Sequence, residues 1–289
     1  EFKLSTLIIA IVIAIIVALV IIGGIKRIGS VTEKIVPFMS VVYIIATLVV
    51  VFADINVIGE VFRMIFVGAF SPEAIVGGGI GITVLSSMKK GVGRGCFSNE
   101  AGLGSAPMAH AATSETNPVK QGLFGIFEVF VDTIVICSLT CLTVLCSYVV
   151  QGGTFAFGDS SASGAELVAG ALGSVFSGPV GAIIIAVCLS LFALSTVLSW
   201  SLYGVRCCGY LFKDNKVAMT IYKIIFILFV IMGATLSMAD AWNIADILNG
   251  LMAVPNLIAV VALSPVIVKS VKEYFAEVKA EKKAKKAAQ

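Results

Sequence analysis

One stretch near the middle of the chain combines side chains that can bind a solute or a cation with glycines that can expose the backbone. It reads RGCFSNEAGLGSAPMAHA over residues 94–111. The surrounding chain is strongly apolar, and an unpaired polar backbone group costs several kcal/mol in hydrocarbon. A Gly-rich polar stretch persists in a membrane only if protein covers it or if it lines a water-filled cavity. The pattern therefore predicts a binding site for a small polar solute or a cation.

The glycines and hydroxyls of this stretch suggest how a ligand is held. Glycine permits positive φ and close approach of a ligand to the backbone, and freed amide and carbonyl groups can hold the two ends of a zwitterion. Close packing of helices is an equally frequent reason for such glycines, and Ser98 and Asn99 could instead cap a helix start. Phe97 could line the apolar side of a pocket, although such a residue is more often packing. The predicted substrate contacts in this stretch are Ser98, Asn99, Gly102, Gly104, Ser105 and Met108.

Several ionisable groups lie in this stretch or on the helix that follows it. A charge within a membrane span costs about 2.5 to 3.5 kcal/mol or more, so Glu100 is a functional candidate by default. We assign it a gating or structural role, in which it caps the interrupted helix or pairs with Arg94 or with another buried group. Glu128 and Asp132, four residues apart, could suggest a proton relay on one helix face, which we do not favour. We expect His110 to be a hydrogen-bonded structural residue.

A second polar phrase lies in a later apolar segment. Ser195 and Thr196 are adjacent hydroxyls, which are hard oxygen ligands of the kind that a small alkali cation prefers. We predict that they bind sodium. Trp200 lies four residues after Thr196, so one helix face could carry both the ion ligand and a wall over the substrate. The alternative is that both hydroxyls bond their own helix and that Trp200 is a core or interface anchor.

Composition decides the fold class. Of 289 residues, 59% are hydrophobic and only 13% are charged, about half the charged share of a soluble domain. We therefore predict an all-α polytopic membrane protein. Six of the twenty basic residues lie in the last twenty positions, and we interpret residues 269–289 as a solvated cytoplasmic tail. A charged helix end of this kind argues against nucleic-acid binding.

About 20 apolar residues are needed for one crossing. Between the second and third predicted spans, one crossing must be discontinuous. Either residues 74–88 cross and the polar stretch re-enters from the cytoplasm, or residues 74–88 form an external loop helix and residues 97–112 cross, which we favour. The clear spans are residues 7–22, 35–52, 124–149, 180–203, 217–238 and 248–268.

Basic loops set the orientation in the cell membrane, because lysine and arginine concentrate on the cytoplasmic side. They place the C-terminus inside. Two spans precede the interrupted one and four follow it, and transporters built from inverted five-helix repeats begin each repeat with a discontinuous helix. We therefore predict that residues 1–53 end a first repeat, residues 54–95 form an external loop with short helices, and residues 96–268 form a complete second repeat. The basic residues used are Lys26, Arg27, Lys34, Arg206, Lys213, Lys216 and those from Lys269 onward.

Four phrases together resemble the alanine or glycine:cation symporter family. They are the stretch at 94–111, PVKQG at 118–122, FVDT at 130–133 and FALSTVLSW at 192–200. The resemblance implies a LeuT-like inverted-repeat bundle of the APC superfamily and sodium-coupled uptake of alanine, glycine or similar small amino acids, without covalent chemistry. It also implies that roughly the first third of a family member, with its first interrupted helix, is absent here.

The same resemblance gives roles to individual residues. It implies that Ser195 and Thr196 meet carbonyls of the first interrupted helix at a sodium site. Asp132 falls in the family's Phe-x-Asp-Thr phrase, and we give it a gating or structural role. We expect a monomer in the lipid bilayer. The alternatives are a proton-coupled or facilitative carrier and, less favoured, a non-transporting membrane subunit; a single histidine without a spaced carboxylate partner argues against an intramembrane enzyme.

Overall fold

A computed structural model describes residues 6–70, 80–100, 102–152, 164–176 and 179–287. These residues form an all-helical protein that divides into two compact units. The first unit comprises Glu1–Met88 and Thr133–Leu236, and the second comprises Lys89–Asp132 and Ser237–Gln289. The predicted all-α polytopic class is confirmed, because five described helices are long and apolar enough to cross a membrane: Gly24–Ala53, Pro118–Val150, Val180–Leu211, Lys216–Gly233 and Met238–Ala287.

The first unit is built around one long helix. In chain order its helices are α1 (Thr6–Ile22), α2 (Gly24–Ala53), a 3₁₀ turn (Ile55–Val57) and α3 (Ile58–Phe70), then α7 (Ser138–Val150), α8 (Gly164–Val175), α9 (Val180–Leu211) and α10 (Lys216–Gly233). Helix α9 contacts α1, α2, α8 and α10. Its Ile185 and Cys188 are buried against Tyr43 and Leu172, while Leu198 is buried in a second apolar cluster. Helix α9, which carries the Ser195 and Thr196 hydroxyls, therefore lies at the centre of the first unit.

The second unit contains the end of α4 (Ile80–Ser98), the short α5 (Ala106–His110), α6 (Pro118–Phe130) and α11 (Met238–Ala287). Helix α6 begins at a capped turn, since the Asn117 side chain accepts hydrogen bonds from the backbone N–H groups of Val119 and Lys120. Proline at position 118 suits this start because the first helical turn needs no N–H from it. Between α6 and α7 the chain widens into a π-helical segment, Val131–Cys137.

The predicted basic loop between the first two spans is wrong. Helix α1 ends at Ile22 and α2 already begins at Gly24. Gly24 has a φ of 70°, and a left-handed glycine reverses the chain within one or two residues. The basic residues that we placed in this loop therefore lie within α2, and the span that we began at residue 35 is the second half of that helix.

The predicted start of the interrupted crossing at residue 97 is also wrong. Helix α4 continues unbroken through residues 91–95, so Phe97 and Ser98 end a helix, and the boundary that we drew between residues 95 and 96 falls inside it. Each internal glycine lowers the stability of a helix by only about 1 kcal/mol. The apolar residues Val92 and Cys96 beside these glycines continue the helical pattern. Residues 74–79, the start of the alternative crossing, lie outside the described residues.

The last two spans also differ from the prediction at their junction. Helix α10 ends at Gly233 rather than at residue 238, and α11 begins at Met238. The reason is a local cap: the Ser237 hydroxyl accepts from the N–H of Asp240 at 3.1 Å and donates to its carboxylate at 2.6 Å. A reciprocal cap of this kind fixes a helix start.

Candidate functional site

The interruption between α4 and α5 has a left-handed backbone at three positions. Glu100 has a φ of 52°, Gly102 of 82° and Gly104 of 79°. For the two glycines this conformation costs little, whereas a side chain in it costs roughly 1–2 kcal/mol. Glu100 is therefore held in its conformation by surrounding contacts. Residues 99–100 and 102–105 leave the regular helical pattern, as the sequence predicted for the glycine-rich stretch.

The contacts that hold Glu100 lie within the interruption itself. The Ser105 hydroxyl donates a 2.7 Å hydrogen bond to the Glu100 carboxylate, and the N–H of Leu103 donates to the Glu100 carbonyl at 3.2 Å. Ser105 has no exposed surface and Leu103 is 4% exposed. Of the partners that we considered for Glu100, Arg94 is wrong, because Arg94 binds the Asp246 carboxylate, whereas the pairing with another buried group is present in the contact with Ser105. The interruption is thus a compact loop closed by a carboxylate and a buried hydroxyl.

Ser98 and Asn99 close the end of α4. The Ser98 hydroxyl donates to the Asp132 carboxylate at 2.7 Å, and the Asn99 amide donates to the Gly95 carbonyl at 3.3 Å. Our alternative interpretation, that these residues cap a helix start, is wrong because they follow the helix that they contact. Two residues that the sequence placed in one site, Ser98 and Asp132, are in direct contact.

An asparagine on α11 contacts the interruption. The side-chain N–H of Asn256 donates to the Gly102 carbonyl at 2.9 Å. A Cβ added to Gly104 would lie 2.8 Å from the Asn256 carbonyl oxygen, so glycine is required there by space as well as by φ. Sequence reasoning missed Asn256, although a polar residue in the apolar segment 248–268 was a detectable signal.

A second group of contacts joins the end of α4 to the start of α11. The Arg94 guanidinium lies 2.9 Å from the Asp246 carboxylate and 4.0 Å from the centre of the Trp242 ring. Phe97 packs edge-to-face against Trp242, with ring centroids 5.1 Å apart. Phe97 therefore packs on an aromatic partner, which is the more frequent of the two roles that we considered for it.

Helix α5 is joined to α6 by its histidine. The Nδ1 atom of His110 lies 2.7 Å from the Gln121 amide nitrogen, and Nε2 lies 3.3 Å from the Glu128 carboxylate. His110 is thus hydrogen-bonded, as predicted, and its structural role stays a prediction. Glu128 and Asp132 have different partners on different segments, His110 for Glu128 and Ser98 for Asp132. Met108, half-buried, lies in the middle turn of α5.

The predicted sodium ligands belong to the first unit. The hydroxyls of Ser195 and Thr196 both donate to the carbonyl of Phe192, each at 2.9 Å. Both protons therefore point at one oxygen, and the remaining lone pairs stay available as acceptors. Ser195 is buried, whereas Thr196 is exposed. Trp200 is half-buried and packs edge-to-face on Tyr203 at 5.7 Å.

Five membrane-length apolar helices among the described residues define a polytopic membrane protein. Its sequence matches the profile of the sodium:alanine symporter family over residues 1–288. The chain belongs to this family, which consists of transporters rather than enzymes.

Individual relatives agree with this assignment. The chain is 43% identical over 275 residues to the sodium/alanine symporter AgcS of Methanococcus maripaludis, covering 95% of the chain and 58% of AgcS. It is 39% identical over 278 residues to an uncharacterized transporter of Haemophilus influenzae, covering 96% and 59%. It is 36% identical over 273 residues to the amino-acid carrier protein AlsT of Bacillus subtilis, covering 94% and 56%. The chain thus spans less than two thirds of the length of these relatives.

Proposed function

We propose that this protein is a secondary active transporter that takes up small neutral amino acids, alanine or glycine, together with sodium. The observation that carries the proposal is the interrupted helix between α4 and α5 in a chain of membrane-spanning helices. Backbone groups released from the helical ladder at such a place can bind the ammonium and carboxylate groups of an amino acid. The names of AgcS and AlsT support an amino acid as the substrate and, for AgcS, sodium as the coupling ion.

The substrate contacts that we propose are those of the interrupted helix together with one wall residue on α9. Glu100 and Asp132 take gating or structural roles, since each accepts a hydroxyl hydrogen bond from within this region. Asp132 holds Ser98 at one end of the interruption, and Glu100 holds Ser105 at the other. The backbone between Ser98 and Ser105 binds the ligand. The proposed contacts are Ser98, Asn99, Gly102, Gly104, Ser105, Met108 and Trp200.

Sodium is the proposed coupling ion, and Ser195 and Thr196 are its proposed ligands. Sodium is a hard cation that favours oxygen ligands. Because both hydroxyl protons are directed at the Phe192 carbonyl, the two oxygens present lone pairs rather than protons to a cation. This arrangement supports a site of two adjacent hydroxyls, completed by oxygens from elsewhere in the protein.

Transport by alternating access follows from coupled binding. A ligand shifts a conformational equilibrium only by its differential affinity for the two states. We propose that the free energies of binding of sodium and the amino acid together bias the rocking of a LeuT-like bundle, with the interrupted helix opening its second repeat. We further propose a monomer in the cell membrane with the lysine-rich end of α11 in the cytoplasm.

The experiment that tests this function is uptake of labelled alanine by the full-length protein, as its gene encodes it, in proteoliposomes. Uptake is measured with and without an inward sodium gradient, with glycine and glutamine as competitors. Thr196→Val and Ser195→Ala remove the proposed ligands. Ser190→Ala is the matched control, because the Ser190 hydroxyl also bonds its own helix, to the Ala186 carbonyl at 2.7 Å, and is exposed on α9.

We expect sodium-dependent uptake and a rise of about tenfold in the half-saturating sodium concentration for each ligand variant, as the loss of one good ligand implies. The half-saturating sodium concentration of Ser190→Ala should stay within about twofold of the wild-type value, which is less than a third of a tenfold effect in free energy. Sodium-independent uptake would support a proton-coupled or facilitative carrier instead. An absence of uptake for every amino acid tested would support a non-transporting membrane subunit.

A further inference from the structure

Asn256 contacts both glycines of the interruption from outside it. Its side-chain N–H donates to the Gly102 carbonyl at 2.9 Å. Its own carbonyl oxygen, Cγ and Cβ would lie 2.8, 3.0 and 3.3 Å from a Cβ added to Gly104. One carboxamide therefore lies against two backbone positions that are separated by a single residue. Such close approach is available only because both positions are glycine.

The hydrogen bond falls where the backbone has no regular partner. Gly102 and Gly104 have φ values of 82° and 79°, so their carbonyls are turned out of the direction that a helix would give them. A glycine backbone also loses more conformational freedom on ordering than any other residue. A donor that binds the Gly102 carbonyl from a neighbouring helix therefore restricts this flexible part of the interruption.

The residues on either side of Asn256 are consistent with a restriction of the interruption by this part of α11. Pro255 carries no N–H, so α11 lacks one hydrogen bond of its ladder there, which leaves this turn free to adjust to what it contacts. Leu257 lies next to Gly102, with its Cδ2 3.7 Å from the position of an added Cβ. Asn256 and Leu257 thus both lie against the interruption.

We propose that Asn256 is a positioning residue: it holds the Gly102–Gly104 backbone in the conformation that binds the transported amino acid. This inference rests on the proposed function above. If the binding conformation is only partly populated, the apparent affinity falls by the populated fraction. Loss of Asn256 should therefore raise the KM for alanine more than it lowers the maximal rate per folded protein.

The test compares Asn256→Ala with Asn243→Ala, an exposed asparagine on the same helix, in sodium-driven alanine uptake. We expect the alanine KM of Asn256→Ala to rise about 5- to 15-fold, the equivalent of one net hydrogen bond, with the Asn243→Ala KM unchanged. A KM equal to that of the wild type, with any loss confined to the maximal rate, would overturn the proposal.

A second measurement does not depend on transport. Backbone hydrogen exchange of peptides covering residues 99–105 is followed in detergent-solubilised protein, and we expect faster exchange in Asn256→Ala than in the wild type or Asn243→Ala. Unchanged exchange contradicts the positioning role even if the wild type transports alanine. Faster exchange in a protein that transports nothing supports the contact and refutes the proposed function.

A third variant covers the case in which the alanine variant does not fold. Asn256→Asp keeps the side-chain volume but replaces the N–H donor by an oxygen that faces the Gly102 carbonyl oxygen. It should show the same rise in KM and the same faster exchange. If Asn256→Asp matches the wild type in both readouts, the donor has no positioning role.

Discussion

The Ser98 hydroxyl donates a 2.7 Å hydrogen bond to the Asp132 carboxylate across 34 positions of sequence. Ser98 is the last residue of α4, and Asp132 lies in the π-helical segment that follows α6. The extra residue per turn in a π-helix rotates the side chains that follow it, and such segments are frequent at functional sites. The contact therefore connects one edge of the interruption to a distorted turn of the next long helix.

Breaking this contact should affect both stability and uptake. Ser98→Ala and Asp132→Asn are each expected to lower alanine uptake, and a double-mutant cycle on unfolding free energy should give a coupling of about 1 kcal/mol, because Ser98 is exposed and water competes for the bond. Thermal unfolding in detergent and proteoliposome uptake measure the two effects. Additive single-variant effects would mean that the pair does not interact in the folded protein.

The Glu100–Ser105 contact should carry more stability, because Ser105 is completely buried. Ser105→Ala leaves the carboxylate without this donor, and we expect the free energy of unfolding to fall by about 1–3 kcal/mol. Ser201→Ala is the control, since Ser201 is 1% exposed and bonds only a carbonyl of its own helix among its described contacts. Equal losses of unfolding free energy in the two variants would show that the hydrogen bond to Glu100 contributes no stability beyond that of burying the serine.

Arg94 should not be replaceable by lysine without loss. A guanidinium can pair with Asp246 while it stacks on Trp242, and an ammonium cannot do both with the same geometry. We expect Arg94→Lys to lose about 0.5–1 kcal/mol of unfolding free energy, the size of an exposed cation–π contact. The control is Arg63→Lys, whose guanidinium pairs with Glu60 one turn away on α3. A loss no larger than that of the control would exclude a contribution from stacking.

The turn before α6 should respond to acid. The hydrogen bond from Lys120 holds the pKa of Glu115 below its ordinary value of 4.5, and a backbone hydrogen bond from Asn117 acts in the same direction. A lowered carboxyl pKa stabilises the fold above pH 4.5, and this stabilisation is lost as the pH falls through the folded pKa. The unfolding temperature of Glu115→Gln should therefore lie below that of the wild type at pH 7, and the difference should narrow as the pH falls below 4.5. A gap that is independent of pH would contradict this account.

The sequence predicted those features that depend on only a few neighbouring residues. The glycines at 102 and 104 predicted the interruption, because positive φ acts over a few residues. The asparagine and proline at 117–118 mark the start of α6, but our predicted span began only at residue 124, because it was drawn from apolar residues alone. The polar character of residues 195–196 likewise located the two hydroxyls on one helix, although their shared bond to the Phe192 carbonyl needed the structure.

Contacts between distant segments were not readable. Asn256 and Gly102 are separated by 154 positions, and Arg94 and Asp246 by 152. No local pattern specifies a partner at that distance, because helix packing decides which faces meet. Arg94 shows the consequence: the sequence offered Glu100 as a nearby partner, but the helical end of α4 directs Arg94 to α11.

The length of α11 has an experimental consequence. A helix of 50 residues rises about 75 Å, more than twice the roughly 30 Å of a bilayer's hydrocarbon core. From Asn256 to Lys282 it extends about 40 Å, so a tilt of about 10° at Asn256 moves Lys282 by about 7 Å. A spin label or fluorophore at the lysine-rich end of the helix would therefore report a tilt of this size as a distance change that spectroscopy resolves.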